Sequence, residues 1–238
     1  MYSDVLCDNL DGPMNPLSFS GPSSLRQIIR QGMSATLPRR LFMVSGPRSS
    51  GQVALTFDDG PHPEHTPRLL DRLQELGIKA TFFVLGRQAE RHPDIIRRMF
   101  IDGHDLGHHS YTHGEPAATS ALELMREVRR TSRLLEKLVG RRPRLFRPPH
   151  GKITGGKALA LWAVGQTVVL WNQDPKDFQL PSAQLLRDWI AQRRLSGGDV
   201  VLLHDVHPHA AEALDSIAAQ VRGTGLGFCR VSDWLTVL

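Results

Sequence analysis

Two adjacent carboxylates, Asp58 and Asp59, follow a short apolar run from Val53 to Phe57 and precede Gly60-Pro61. Side chains alternate along a strand, so the two acids point in different directions and can take different jobs. One can hold a metal while the other moves protons. A solvated Asp-Asp turn gives the same local pattern, so the assignment depends on partners elsewhere. The segment His109-Ser110-Tyr111-Thr112-His113 offers two imidazoles four residues apart. If it turns helically, both rings share a face, about 5–6 Å apart at Cβ. Two His and one Asp around a metal leave positions open for water and substrate, which is a catalytic arrangement that zinc, cobalt or iron would fit. A lone His-x-x-x-His is a weak signal. His104 and His108 read as structural, because His108 points opposite to His109 on a strand.

The elements that must position these groups alternate strand and helix from residue 52 onward. The apolar run before Asp58 is a buried strand, and the Gly-Pro forces a turn. Thr66 reads as the cap of a helix with Pro67 at its first position, Leu69, Leu70, Leu73 and Leu76 on one face and Gly77 as its stop. Further strands are expected at Ala80 to Leu85, Asp105 to His109, Leu145 to Arg147, Thr167 to Trp171, Asp199 to Leu203 and Gly227 to Val231. Helices are expected at Pro93 to Ile101, Ser120 to Leu138, Gly156 to Val164, Ser182 to Arg194 and Ala210 to Arg222. Six or seven such units argue for an α/β fold with a parallel sheet closed, or nearly closed, into a barrel. Residues 1–22 read as a loose arm and Ser24 to Ala35 as a short helix. The expected division is an N-terminal extension, 1–45, and a catalytic domain, 46–238.

In a parallel barrel, residues at the carboxyl ends of strands converge on one face. Those positions carry Asp58-Asp59, His109 with His113, Arg147, Asp174 with Asp177, and His204-Asp205. One polar strand end is ordinary; a succession of these residue types is a site.

Composition narrows the function classes. The 238 residues are 40% hydrophobic and 22% charged, as in an ordinary globular protein. The net charge of +5 is spread over scattered arginine pairs, such as Arg129-Arg130 and Arg141-Arg142, and no nucleic-acid motif is present. Cys7 and Cys229 are too few for a disulfide framework or a thiolate site. No run approaches the roughly 20 apolar residues of a membrane span. No basic stretch followed by an apolar one opens the chain, so a cytoplasmic location is expected. No phosphate loop or dinucleotide fingerprint follows any strand.

Five ordered segments resemble the motifs of the polysaccharide deacetylase family, which is NodB-like and includes chitooligosaccharide and peptidoglycan deacetylases. They are Thr56 to Pro61, His109 to His113, Arg147-Pro148-Pro149-His150-Gly151, Trp171 to Phe178, and Leu202-Leu203-His204-Asp205. The resemblance covers roughly residues 50–235. It implies a distorted (β/α) barrel, often seven-stranded, that hydrolyses acetamido groups with one divalent metal, zinc first and cobalt, nickel or iron as substitutes. By it, Asp58 is the general base, and Asp59, His109 and His113 hold the metal. Arg147 holds the base, His204 is the general acid, and Asp174 orients His204. The backbone N–H near His150, after Pro149, is the oxyanion donor. Trp171 and Leu202 wall the acetyl pocket.

The chemistry of the residues agrees with this assignment. Amide hydrolysis needs an activated water, a stabilised oxyanion and a proton for the leaving amine. Two departures stand out. The family usually carries Tyr or Phe where His150 stands, and Trp where Phe178 stands. The expected substrate is an N-acetylhexosamine in a glycan, oligosaccharide or precursor. The alternatives are a hydrolase of a small non-sugar amide or imide, kept open by the few Trp and Tyr residues, and an inactive binding domain, opposed by the completeness of the set.

Overall fold

The computed structural model describes Gly32 and residues 36–235. The arm expected over 1–22, Cys7 and nearly all of the helix expected over 24–35 lie outside the described residues.

Eight strands form one sheet in which every pairing is parallel. They are β1 (Phe42–Met43), β2 (Gln52–Asp58), β3 (Thr81–Val84), β4 (Asp105–His108), β5 (Leu145–Phe146), β6 (Thr167–Val169), β7 (Val200–His204) and β8 (Gly227–Cys229). Their order is β1-β6-β5-β4-β3-β2-β7. Ala54 of β2 pairs with Val200 of β7 on one edge and with Cys229 of β8 on the other, so β8 fills the edge below β3. The path has the expected seven strands, with β8 beside it. Residues just after β6 close the curl: Gln173 bridges to Val201, and Leu202 N donates to Gln173 O at 2.9 Å. β1 pairs with β6, so the sheet reaches back into the segment read as an extension. Two residues are too short a run for strand periodicity to show.

The helices are α1 (His65–Glu75), α2 (Gly86–Arg91), α3 (Pro93–Ile101), α4 (Ala121–Val139), α5 (Gly155–Ala163), α6 (Ala183–Gln192) and α7 (His209–Gly223). α4 forms because Leu124, Met125, Val128, Thr131, Ser132 and Leu135 recur on one buried face. Ser120 caps its start by accepting from Glu123 N at 3.1 Å, and left-handed Gly140 ends it. The residue before α1 is Glu64, not Thr66. The Thr66 hydroxyl instead accepts from His62 N at 2.7 Å and donates to Asp205 Oδ2 at 2.6 Å, which staples the start of α1 to the end of β7. α2 has no apolar stripe to announce it, since only Gly86 and Ala89 are buried. A Cβ on Gly86 would lie 2.3 Å from the Tyr111 ring, so glycine is needed there.

Alternation along β2 separates two cores. Val53, Leu55 and Phe57 pack outward against the helices with Leu69, Leu70 and Leu73 of α1. Ala54 points inward, among Met43, Phe83, Val169 and Val200. Each such buried aliphatic side chain contributes about 1.5–3 kcal/mol relative to exposure. Thr56 and Asp58 share the inward parity of Ala54, so the register that buries the core also aims the first carboxylate into the barrel.

Candidate active site

Asp58 is 2% exposed and ends β2; Arg147, fully buried, follows β5. Arg147 Nη1 donates to Asp58 Oδ1 and to Thr56 Oγ1, both at 2.7 Å. Its Nη2 donates to Leu170 O at 3.0 Å and its Nε to Val169 O at 3.3 Å. The guanidinium also lies 4.1 Å from the Phe83 ring centroid. A buried ion pair is tolerable only with its hydrogen bonds this fully satisfied. Burial pushes the Asp58 carboxyl above its ordinary range, while the Arg147 charge opposes the rise.

One oxygen of Asp58 is held by Arg147. The other, Oδ2, is 3.7 Å from His109 Nε2. Asp59 Oδ1 lies 3.5 Å from both His109 Nε2 and His113 Nε2. These three ligand atoms lie within 4.8 Å of one another. The His109 ring is oriented by Nδ1, which donates to Arg147 O at 2.8 Å and leaves the Nε2 lone pair free. Burial lowers the His109 pKa to about 3, so the ring is neutral, as a ligand must be. Asp59 Oδ1 is buried with no hydrogen-bond partner, which suits a carboxylate awaiting a cation. One hard or borderline divalent metal therefore fits Asp59, His109 and His113.

The route to that convergence is not the helical turn that the four-residue spacing would need. The segment is a loop in which Ser110 and His113 both adopt left-handed backbone, with φ of 69° and 61°. Ser110 Oγ accepts from His113 N at 3.0 Å. Glu127 of α4 clamps the middle of the loop, accepting from Tyr111 N at 3.0 Å and Thr112 Oγ1 at 2.5 Å. The ring centroids of His109 and His113 end up 5.0 Å apart. His104 and His108 are structural, as expected. The first accepts from Ala80 N at 3.1 Å, and the second meets Ser132 Oγ at 3.2 Å.

His204, at the end of β7, completes the cluster. Its Nε2 stands 4.0 Å from Asp59 Oδ2. Its Nδ1 is 2.7 Å from Asp177 Oδ1, and its backbone N donates to Asp177 Oδ2 at 2.8 Å. The carboxylate that orients His204 is thus Asp177 and not Asp174. Asp174 instead accepts from Trp171 Nε1 at 3.3 Å and from Lys176 N at 2.9 Å, closing its own turn. The turn carries two acids, and left-handed Lys176 (φ 56°) sends the second one inward, where it is 2% exposed. Burial pulls His204 down, but the hydrogen bond and charge of Asp177, with Asp58 and Asp59 beyond, outweigh it and hold the ring at about 9.

The other expected residues lie on the elements that carry this group. Leu202 is buried on β7 and Pro149 is buried at the head of a turn. Trp171 lies 5.5 Å from the Arg147 guanidinium. His150 is left-handed (φ 54°); its ring lies 4.8 Å from that of His113, and its Nε2 lies 3.7 Å from Glu115. Phe178 is 47% exposed, with its ring 5.0 Å from that of His204. Sequence reasoning placed Thr56 and Asp205 in the motifs but gave neither a role. Asp205 is buried and its pKa raised to about 7 by that burial. It lies against Gly60, where a Cβ would sit 2.0 Å from Asp205 Oδ2.

A curled parallel sheet that gathers an Asp-His-His cluster, an Asp–Arg pair and a His–Asp pair at its strand ends is the arrangement of a hydrolase. Residues 45–169 match the polysaccharide deacetylase family. A peptidoglycan-N-acetylglucosamine deacetylase of Bacillus cereus is 35% identical over 79% of this chain and 69% of its own length. The peptidoglycan-N-acetylmuramic acid deacetylase PdaC of Bacillus subtilis is 33% identical over 76% of this chain and 38% of its own. A crystal structure of a peptidoglycan N-acetylglucosamine deacetylase in complex with 4-naphthalen-1-yl-N-oxidanyl-benzamide superposes with a TM-score of 0.78 at 33% identity, covering 82% of this chain and 92% of that one. The chain belongs to the polysaccharide deacetylase family and is a hydrolase of the deacetylase class. Among the described residues, no helix is long and apolar enough to cross a membrane.

Proposed function

We propose that this chain removes the N-acetyl group from an N-acetylhexosamine unit of a glycan or oligosaccharide, using one divalent metal, zinc by preference, held by Asp59, His109 and His113. The observation that carries the reading is the set of three ligand atoms flanked by a base pair, Asp58–Arg147, on one side and an acid pair, His204–Asp177, on the other. The cation, when bound, supplies Lewis acidity that lowers the pKa of water and polarises a carbonyl. Asp58 accepts the proton of the attacking water through Oδ2, because Oδ1 is tied to Arg147. His204 donates through Nε2, because Nδ1 is committed to Asp177. Held at about 9, the ring is protonated near neutral pH and ready to give its proton to the leaving amine. The His150 backbone N–H is assigned to the oxyanion. The exposed ring of Phe178 supplies an apolar wall beside the acid, suited to a pyranose face.

Acetate release by metal-stripped protein, with and without added zinc or cobalt, tests this directly. Chitooligosaccharides and peptidoglycan serve as the two substrates. Metal-dependent acetate is expected. Metal bound at one per chain with no acetate from either substrate would transfer the activity to non-sugar amides.

A further inference from the structure

The turn that carries Asp59 has an unfavourable backbone. Asp59 is left-handed, with φ of 75°, a region that a residue with a side chain enters at a cost. Such a residue keeps its conformation only where its surroundings over-determine it. On one side of the turn, Leu85 N, just after β3, donates to Gly60 O at 3.0 Å. On the other side stands Asp205, which follows the acid His204 and is 1% exposed. Asp58 of β2 pairs with His204 of β7, so Asp59 and Asp205 leave two neighbouring strands side by side.

A Cβ on Gly60 would have three atoms of Asp205 as its nearest neighbours: Oδ2 at 2.0 Å, Oδ1 at 2.2 Å and Cγ at 2.4 Å. The carboxyl group therefore fills the space that a side chain at position 60 would need, in direct contact with the turn. Thr66 holds it there. The Thr66 hydroxyl donates to Asp205 Oδ2 at 2.6 Å and accepts from His62 N at 2.7 Å, so the far end of the turn is tied to the same carboxyl group. Asp205 Oδ1 is buried with no hydrogen-bond partner. A carboxyl group buried with one oxygen unpaired costs stability, so what it supplies here is placement.

We propose that Asp205 is a positioning residue for the metal: seated by Thr66 against Gly60, it fixes the turn that places Asp59 Oδ1 3.5 Å from both His109 Nε2 and His113 Nε2. The inference rests on the reading of Asp59 as a metal ligand. The other two ligands, His109 and His113, stand on a different loop. A turn free to relax at Asp59 would move one ligand away from the other two, weakening binding without removing any ligand.

The test is the zinc affinity of the full chain, measured by competition with a chelating dye, with urea unfolding of the metal-free protein alongside. Thr66→Val removes the hydroxyl at nearly constant volume. Gly60→Ala adds a methyl that meets the carboxyl group, at a backbone outside the left-handed region. Each of these, and Asp205→Ala, should bind zinc about 10–100-fold more weakly, as changes to groups that support a ligand generally do. Thr66→Ser keeps the hydroxyl and should stay within about threefold of wild type. In an Asp205→Ala background, Gly60→Ala should cost less than about threefold further, because the atoms its methyl would meet are gone. Leu214→Ala, a change at a fully buried position on α7, should lower stability and leave zinc affinity unmoved, which separates positioning from general destabilisation. Wild-type zinc affinity in folded Thr66→Val or Gly60→Ala, or an equal loss from Gly60→Ala with and without Asp205, would overturn the role of Asp205 and leave the metal site standing. No zinc uptake by the wild type would overturn the metal reading itself, and this inference with it.

Discussion

Asp177, paired with Asp174 in the sequence and separated from it only by the fold, carries the tightest prediction at the scale of residues. Asp177→Asn should lower kcat by about 10²-fold or more, because His204 loses the carboxylate that holds its Nδ1–H and its charge. Asp174→Asn should leave kcat within a few-fold, because Asp174 accepts from Trp171 Nε1 and Lys176 N while the His204 ring is held by Asp177. Equal losses in steady-state assays of the two variants would refute the reassignment. His113→Ala should abolish both metal binding, read by metal analysis after dialysis, and turnover. The polar strand ends were legible in the sequence because each follows an apolar run. The choice between Asp174 and Asp177 was not legible. It rests on a left-handed lysine between them, a conformation that residue type does not announce.

At the scale of elements, α4 does more than cover the sheet. Glu127 reaches from it to the loop that carries His113, though it contacts neither imidazole. Glu127→Gln should therefore weaken metal binding by about 10–100-fold, as changes to such supporting groups generally do. Metal affinity by competition with a chelating dye measures this, and an unchanged affinity would show that the loop holds its own shape. The long helices and the buried strands could be read from periodicity. The four-residue spacing of the histidines would bring the rings together if the segment turned helically; in the fold they are brought together instead by two left-handed residues. β1 and α2 were invisible for lack of length and of an apolar stripe.

For the whole molecule, two histidines outside the site couple folding to pH. Burial lowers both His104 and His108 to about 4 from an ordinary value of 6.5. In the unfolded chain they take up protons as pH falls through 6.5; in the folded chain they resist until about 4. Their contribution to stability is thus complete above pH 6.5 and is lost on acidification toward 4, at up to about 3 kcal/mol each. Urea unfolding of metal-loaded protein across that range should show the free energy falling with a slope of about two protons, and His104→Asn should remove one of them. A flat profile would mean that neither ring is held neutral by the fold.

The guanidinium of Arg147 has a practical consequence for anyone wishing to catch this enzyme with substrate in place. Replacing the general base is the obvious way to silence the chemistry. Here Asp58→Asn also strips the counter-charge from a cation with no access to water, and uncompensated buried charge typically costs about 3–5 kcal/mol. The silenced protein should still take up metal but melt well below the wild type in a thermal scan. A trap designed at Asp177, whose histidine can still lose its charge to solvent at a tenth exposed, would hold the barrel together better.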